Sequence, residues 1–220
     1  LESLIKLKKI RNENPTTRAL AYNLYENNGV VKRENVIEIL KNLRQEERRI
    51  LRSAGVKFGR YHIFLHKLFK PSSVSMRILL WKNFYQKYFD LDPPLFGLNF
   101  VTNKKSINKD FMLLCGFESF NNIFVRIDIL ERLFIKIFNT NKDNPEKNKE
   151  VKLVPEMLNL LGCNKENFIT LLKNMNYQTY EKENEIFFKY IPLRKKFQKG
   201  KKNTKVIDSP FSKLGELNLK

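Results

Sequence analysis

The strongest constraint on the fold lies between Pro155 and Tyr190. Pro155–Leu161 reads as a short helix, Gly162-Cys163-Asn164 as a turn, and Lys165–Met175 as a second helix. Tyr177–Tyr180, a polar turn and Ile186–Tyr190 then alternate as a hairpin does. Helix, turn, helix and hairpin in that order suggest a winged-helix module. Upstream, the spacing predicts a short helix at Asp110–Leu114, a stop at Gly116, a strand at Ile123–Ile127 and a helix at Asp128–Phe138 begun by Asp128. The polar run Asn139–Glu150 reads as a loop.

The first third has helical periodicity. Leu1–Ile10 leads through Asn14-Pro15-Thr16 into Thr17–Glu26, which Asn27-Asn28-Gly29 stops. Val36, Ile37, Ile39, Leu40 and Leu43 follow at helical spacings, and Glu46–Ala54 forms a helix closed by Gly55. Val56–Phe69 is apolar and aromatic, too dense to lie exposed, and admits either a strand or a helix. Val74–Phe89 reads as a helix, and Asp90–Leu95 as an extended connector around Asp92-Pro93-Pro94. The expected architecture is α+β and predominantly α-helical. A helical accessory bundle spans residues 1–95, a winged-helix-like region 96–192, and a flexible basic tail 193–220.

A formal charge of +19 on 220 residues points to a polyanionic partner, and nucleic acid is the first such partner to consider. The tail carries only part of the excess, with ten basic against two acidic side chains from Lys189 to Lys220. A composition 42% hydrophobic and 12% aromatic, with eighteen Phe, is enough for real cores. Cys115 and Cys163, each beside apolar residues, indicate packing cysteines in a reducing compartment. No apolar run has the length of a membrane span, and Leu1-Glu2-Ser3-Leu4 has no signal-peptide pattern. The expectation is part of a longer cytoplasmic protein, with no membrane partner.

Arg44, Arg48 and Arg52 recur every four residues, setting three guanidinium groups along one helical face above an apolar base of Leu43, Ile50 and Ala54. Arg49, Lys57 and Arg60 extend this surface. Arginine's planar fork suits phosphate oxygens, so these positions are candidates for sequence-independent backbone binding. The alternative is a solvated face paired with Glu46 and Glu47. In Lys165–Met175 the exposed mixture of Lys165, Glu166, Asn167, Thr170, Lys173 and Asn174 is polar rather than basic, which argues against base readout there. Arg194, Lys195 and Lys196 open a basic arm that adds electrostatic affinity without choosing sequence.

The residues offer no catalytic constellation. His62 and His66 stand four apart, but the intervening Ile63-Phe64-Leu65 lacks the glutamate of zinc-protease helices, so no metal site is assigned. ATP chemistry needs a phosphate-cradling GxxxxGK[ST] loop and an acidic cluster for magnesium, and neither occurs here. No cofactor is expected in this chain itself.

Three stretches carry a resemblance. They are Leu51-Arg52-Ser53-Ala54-Gly55-Val56-Lys57-Phe58-Gly59-Arg60-Tyr61-His62-Ile63-Phe64-Leu65, Lys70-Pro71 with Arg77-Ile78-Leu79-Leu80-Trp81, and Val125-Arg126-Ile127-Asp128-Ile129-Leu130-Glu131-Arg132-Leu133. With Val154-Pro155-Glu156-Met157, Gly162-Cys163 and Asp208-Ser209-Pro210-Phe211, they resemble the region that follows the motor domains in alphaproteobacterial helicases. Those helicases are related to the mitochondrial-degradosome type of DExH-box, superfamily-two RNA helicase. The resemblance runs from about Arg18 onward, and His66 departs from it where the family pattern has proline. It implies a parent enzyme with two RecA-like motor domains upstream, ATP and magnesium as that parent's cofactors, and 3′-to-5′ unwinding. It also implies single-stranded or partly duplex RNA, or DNA, as substrate, and in the mitochondrial branch an exoribonuclease partner, polynucleotide phosphorylase. The competing expectation is a stand-alone winged-helix regulator or protein–protein adaptor.

Overall fold

The computed structural model describes residues 2–10, 14–86, 90–102, 108–143, 150–182 and 184–191. The tail expected at 193–220, with Arg194, Lys195 and Lys196, lies outside them. The described chain is mixed α and β, rich in helix, with three small antiparallel sheets.

A leading helix, α1 (Glu2–Lys9), precedes α2 (Pro15–Glu26), which begins on Pro15 because a missing N–H costs nothing in the first turn. Asn28 and Gly29, with φ of 54° and 82°, turn the chain into β1 (Val30–Lys32). Helices α3 (Ile37–Asn42) and α4 (Gln45–Ser53) follow, and then a hairpin of β2 (Val56–Phe58) and β3 (His62–Leu65). The next segment has α5 (Pro71–Tyr85), β4 (Phe100–Thr102), α6 (Lys109–Leu114) and the hairpin β5 (Phe117–Phe120) with β6 (Ile123–Arg126). The last has α7 (Ile127–Asp143), β7 (Glu150–Lys152), α8 (Pro155–Leu161), α9 (Lys165–Asn174) and the hairpin β8 (Tyr177–Lys182) with β9 (Glu185–Tyr190).

One plan is therefore used three times: helix, strand, helical segment, hairpin. In each sheet the last strand lies in the middle, giving orders β1-β3-β2, β4-β6-β5 and β7-β9-β8. The same backbone device joins the helical segment to the hairpin each time. Gly55, Gly116 and Asn176 take φ of 98°, 91° and 64°. Their N–H groups donate to Arg52, Leu113 and Lys173 carbonyls at 2.9, 2.9 and 3.1 Å. This left-handed close ends the helix and aims the chain back along the sheet.

Residues 1–95 accordingly depart from the expected helical bundle, because they contain the sheet β1-β3-β2. The ambiguous run Val56–Phe69 resolves into β2, β3 and a single helical turn at His66–Phe69. Gly59 makes the reversal possible, donating its N–H to the His62 carbonyl at 2.8 Å, and the β-branched and aromatic residues on either side pair as strands. The described helix α5 reaches Tyr85, and α7 runs through the start of the stretch read as a loop, to Asp143.

Each unit has its own core, and two strands are shared between cores. Ile63 and Leu65 of β3 point into the first core with Leu20, Leu24 and Leu51, while Phe64 faces the other way onto Phe69 and Ile127. Phe124 of β6 packs with Phe111 and Phe117 in the second core, whereas Ile123 and Val125 pack with Leu133 and Phe168 in the third. Every residue of β3 is buried. Sheets covered on both faces in this way bind the units into one packed body.

Candidate nucleic-acid interface

Helix α4 starts where Leu43 and Arg44 turn extended, and its first turn is held by Glu47. That carboxylate accepts hydrogen bonds from the Arg44 backbone N–H at 2.9 Å, Asn14 Nδ2 at 2.7 Å and Thr16 Oγ1 at 3.2 Å. Glu47 is buried, and its oxygens close the helix end and fasten it to the start of α2. Among the described residues no salt bridge joins Glu46 or Glu47 to the arginine face, although the Arg44 backbone hydrogen bond and, in smaller part, the Arg44 charge help to hold the Glu47 carboxyl below its ordinary value.

Arg48 leaves the face on which helical spacing places it. Its guanidinium donates to the Leu40 carbonyl at 2.8 Å and the Leu43 carbonyl at 3.3 Å, satisfying the exposed C-terminal end of α3. The exposed guanidinium groups are those of Arg44, Arg49 and Arg52, which with Gln45 and Glu46 line one shallow depression of about 630 Å³. None of these three arginines pairs with an acidic side chain among the described residues. Arg52 lies over the Phe58 ring, 5.4 Å from its centroid. Lys57 is exposed on β2, an edge strand.

Arg60 is split between two tasks. Its guanidinium is exposed over the Phe138 ring at 5.4 Å, while its backbone N–H donates to Glu131 Oε2 at 2.5 Å. Glu131 Oε1 accepts the backbone N–H groups of Tyr61 at 3.0 Å and His62 at 2.7 Å. It also faces His62 Nδ1 at 3.1 Å. On the opposite side of the imidazole, Nε2 lies 3.0 Å from Glu118 Oε2, and Lys32 Nζ lies 2.8 Å from Glu118 Oε1. A carboxylate of α7, a carboxylate of β5, an imidazole of β3 and an ammonium of β1 thus form one chain across all three units.

Burial alone would push the His62 imidazole down, but its hydrogen bonds with Glu118 and Glu131 and their charges hold it above its ordinary value. Glu118 is pushed up by burial and pulled further down by hydrogen bonds from His62 and Lys32, so it is held low. The two effects describe the same arrangement, an imidazolium and an ammonium balancing two carboxylates. His62 sits between its acids, one at each ring nitrogen, so the three side chains do not converge on a metal. Among the described residues no group of three or more His, Cys, Asp or Glu is placed to hold one. His62 is in a strand and His66 in the following helical turn, so they do not share a helix face. Burial raises the Cys115 thiol to about 12 and the Cys163 thiol to about 11, leaving both protonated near neutrality.

A second buried cation ties α5 to the first unit. Arg77 donates to the Leu68 carbonyl at 3.3 Å and the Asn28 carbonyl at 3.1 Å, and burial lowers it to about 10. Gly59 to His62, Arg77 and Glu131, drawn from the three conspicuous sequence stretches, are therefore junction residues. Sequence reasoning missed Lys32, Glu118 and Glu131 as a set. The usable signal was Glu118 and Glu131 flanked by large apolar residues in Phe117–Phe120 and Ile127–Phe134.

The polar residues of α9 are used differently. Asn164 caps the helix, accepting from the Asn167 N–H at 2.9 Å, and Thr170 donates back to the Glu166 carbonyl at 2.9 Å. Asn174 accepts from Asn121 at 2.9 Å and donates to the Phe120 carbonyl at 3.3 Å, which turns that end of α9 toward the second unit. Arg126 forms a forked pair with Asp128 at 2.7 and 2.9 Å in the first turn of α7. No described helix is long and apolar enough to cross a membrane.

Comparison with protein-family models, with curated proteins and with solved structures gives no match to this chain.

Proposed function

We propose that this chain is a nucleic-acid-binding accessory region built from three tandem winged-helix-like units, and that it serves a larger ATP-dependent DExH-type helicase. The order helix, strand, helices, hairpin, with the last strand central, is the winged-helix plan. In that plan α4 and α9 are the helices that follow the turn, the position from which such modules contact nucleic acid. Only α4 presents an arginine face. Arg44, Arg49 and Arg52, exposed together and in no salt bridge among the described residues, carry the reading, and the +19 charge of the whole chain supports it. The parent's motor domains would supply ATP and magnesium chemistry, and a basic tail after Pro192 would add salt-sensitive affinity in the cytoplasm. Strand binding would be sequence-tolerant because guanidinium groups aimed at phosphates carry no base information.

The adaptor reading gains support from one further surface. Leu79, Leu80 and Phe84 of α5, with Leu95 and Phe96 beyond it, are exposed. An apolar face of this kind suits docking on another protein body such as the motor domains or an exoribonuclease. Fluorescence anisotropy of the chain with labelled single-stranded RNA, single-stranded DNA and duplex across a salt series tests the proposal. Steeply salt-dependent single-strand binding is expected. Binding confined to one duplex sequence, or none at low salt, would move the chain to the regulator or adaptor class.

A further inference from the structure

Two cavities at the junction continue the arginine face. The first, about 420 Å³, is lined by Lys32, Arg33, Arg60, Tyr61, Phe120 and Tyr190, among others. The second, about 510 Å³, shares Arg33, Arg60, Tyr61 and Tyr190 with it and adds Phe58 and Phe138. Because they share walls they form one cleft. Phe58 also carries Arg52 on its ring, and Arg52 lines the depression on α4. A track of cations therefore runs Arg44, Arg49, Arg52, Arg60, Arg33, with aromatic rings set beside its second half; Lys32 beyond it is held by Glu118, which with Glu34 also lines the first cavity.

The hairpin geometry selects what can use this track. In a winged-helix module gripping duplex, the hairpin turn projects to touch the groove beside the helix. Here the turn of the first unit, Gly59 to His62, is closed against Glu131, with three backbone N–H groups spent on that carboxylate. The helix and wing of this unit cannot grip duplex together. Alternating guanidinium groups and aromatic faces suit a single strand, whose phosphates follow the cations while an unstacked base lies against a ring. Arg33, which lines both cavities, is held by donating to the Gly59 carbonyl at 3.0 Å. Tyr190 is 46% exposed there, a ring surface open to a base among the described residues. The cavity volumes lie within the roughly 300–1,000 Å³ typical of small-ligand sites, enough to accept a nucleotide.

We infer that the cleft where the three units meet, framed by Arg33, Arg60, Phe120 and Tyr190, is a binding subsite for single-stranded nucleic acid, holding at least one unstacked nucleotide. This rests on the nucleic-acid-binding reading above and adds to it a second site, a strand preference and a path.

The test uses the full chain with labelled oligouridylate of 12 and 24 nucleotides and a 24-base-pair duplex. A cleft variant, Arg60→Gln with Tyr190→Ala, keeps the Arg60 backbone N–H that meets Glu131. A ridge variant carries Arg44→Gln, Arg49→Gln and Arg52→Gln. The cleft variant is expected to lose about tenfold in affinity for the single strands and less than twofold for duplex. Unchanged single-strand affinity in the cleft variant, with a loss in the ridge variant, would overturn the subsite and leave the nucleic-acid reading standing. No loss in either variant would overturn both the subsite and the assignment of strand binding to α4. Photocrosslinking of 4-thiouridine-containing oligonucleotide to the unaltered chain guards against a misfolded variant. Crosslinks on Phe120 or Tyr190 are expected, and crosslinks confined to α4 or to residues beyond 191 would overturn the subsite.

Discussion

Glu131 Oε1 receives the backbone N–H of His62 at 2.7 Å and stands 3.1 Å from the Nδ1 of the same residue. One oxygen thus meets both the main chain and the ring of a single histidine. Its companion oxygen takes the Arg60 N–H, so a carboxylate from the third unit organises the hairpin turn of the first. Glu131 is 4% exposed, and removing it leaves three backbone donors and the His62 Nδ1 without their acceptor, with Glu118 alone facing the ring. Glu131→Ala should cost about 3–5 kcal/mol in urea unfolding. Hydrogen exchange separates this from a general loss: the Arg60, Tyr61 and His62 amides should lose protection before those of α9.

Gly59 is required by the same contact. A Cβ there would lie 2.5 Å from Glu131 Cδ and 2.7 Å from the His62 carbonyl oxygen, and the carbonyl cannot swing aside without breaking the β2–β3 reversal. Gly59→Ala should destabilise by about 1–3 kcal/mol. In an Glu131→Ala background part of the clash is gone, so the two substitutions should cost less together than their sum, which a double-mutant cycle in urea measures.

The buried pair makes stability depend on pH in a defined direction. His62 binds its proton more tightly folded than unfolded, so its stabilisation is complete below the ordinary 6.5 and is lost as pH climbs through the raised folded value. Glu118 behaves oppositely: its contribution is present above the ordinary 4.5 and is lost as pH falls through the lowered folded value. The groups facing the imidazole are Glu118 from β5 and Glu131 from α7, with Lys32 of β1 behind Glu118. The cluster therefore stabilises most between about 4.5 and 6.5. His62→Gln should lower Tm most in that window, and the gap from the unaltered chain should narrow as pH rises to 9. A gap independent of pH from 5 to 9 would mean that folding leaves the proton affinity of the imidazole unchanged, and a gap that closes as pH falls below 6.5 would mean that it is buried neutral.

The helix pair and hairpin of the last unit were legible because local signals agreed there: Pro155 opens α8, Gly162 closes it, and period-two burial marks β9. The strand read at Ile123–Ile127 is β6, but the opening strand of every sheet was missed, because β1, β4 and β7 are three residues long and have too few positions to alternate. The threefold plan left a trace in the Ala54-Gly55-Val56, Cys115-Gly116-Phe117 and Met175-Asn176-Tyr177 junctions. A glycine in two copies and asparagine in the third hid the shared need for a left-handed backbone. The arginine face was half legible. Helical spacing places Arg44, Arg48 and Arg52 together, but it carries no information about the carbonyls of Leu40 and Leu43, which draw Arg48 away. Glu131 and His62, 69 positions apart, meet through tertiary packing that no local pattern announces.

Arg48 and Arg49 adjoin in sequence and should behave oppositely. Arg49 is exposed beside Arg44 and Arg52 in the depression on α4, and its guanidinium makes no hydrogen bond among the described residues. Arg48 is half-buried and spends its guanidinium on two carbonyls at the end of α3. Arg49→Gln should leave Tm within about a degree, since surface changes of this kind fall within about 0.5 kcal/mol, while weakening binding to single-stranded RNA and reducing the salt slope by about one counterion. Arg48→Gln leaves the Leu40 and Leu43 carbonyls without their charged donor and should cost about 1–3 kcal/mol of stability. Its effect on affinity, measured on the folded fraction, should be smaller than that of Arg49→Gln. Equal losses of affinity in the two variants would return Arg48 to the binding face and require its side chain to leave α3 when the strand arrives.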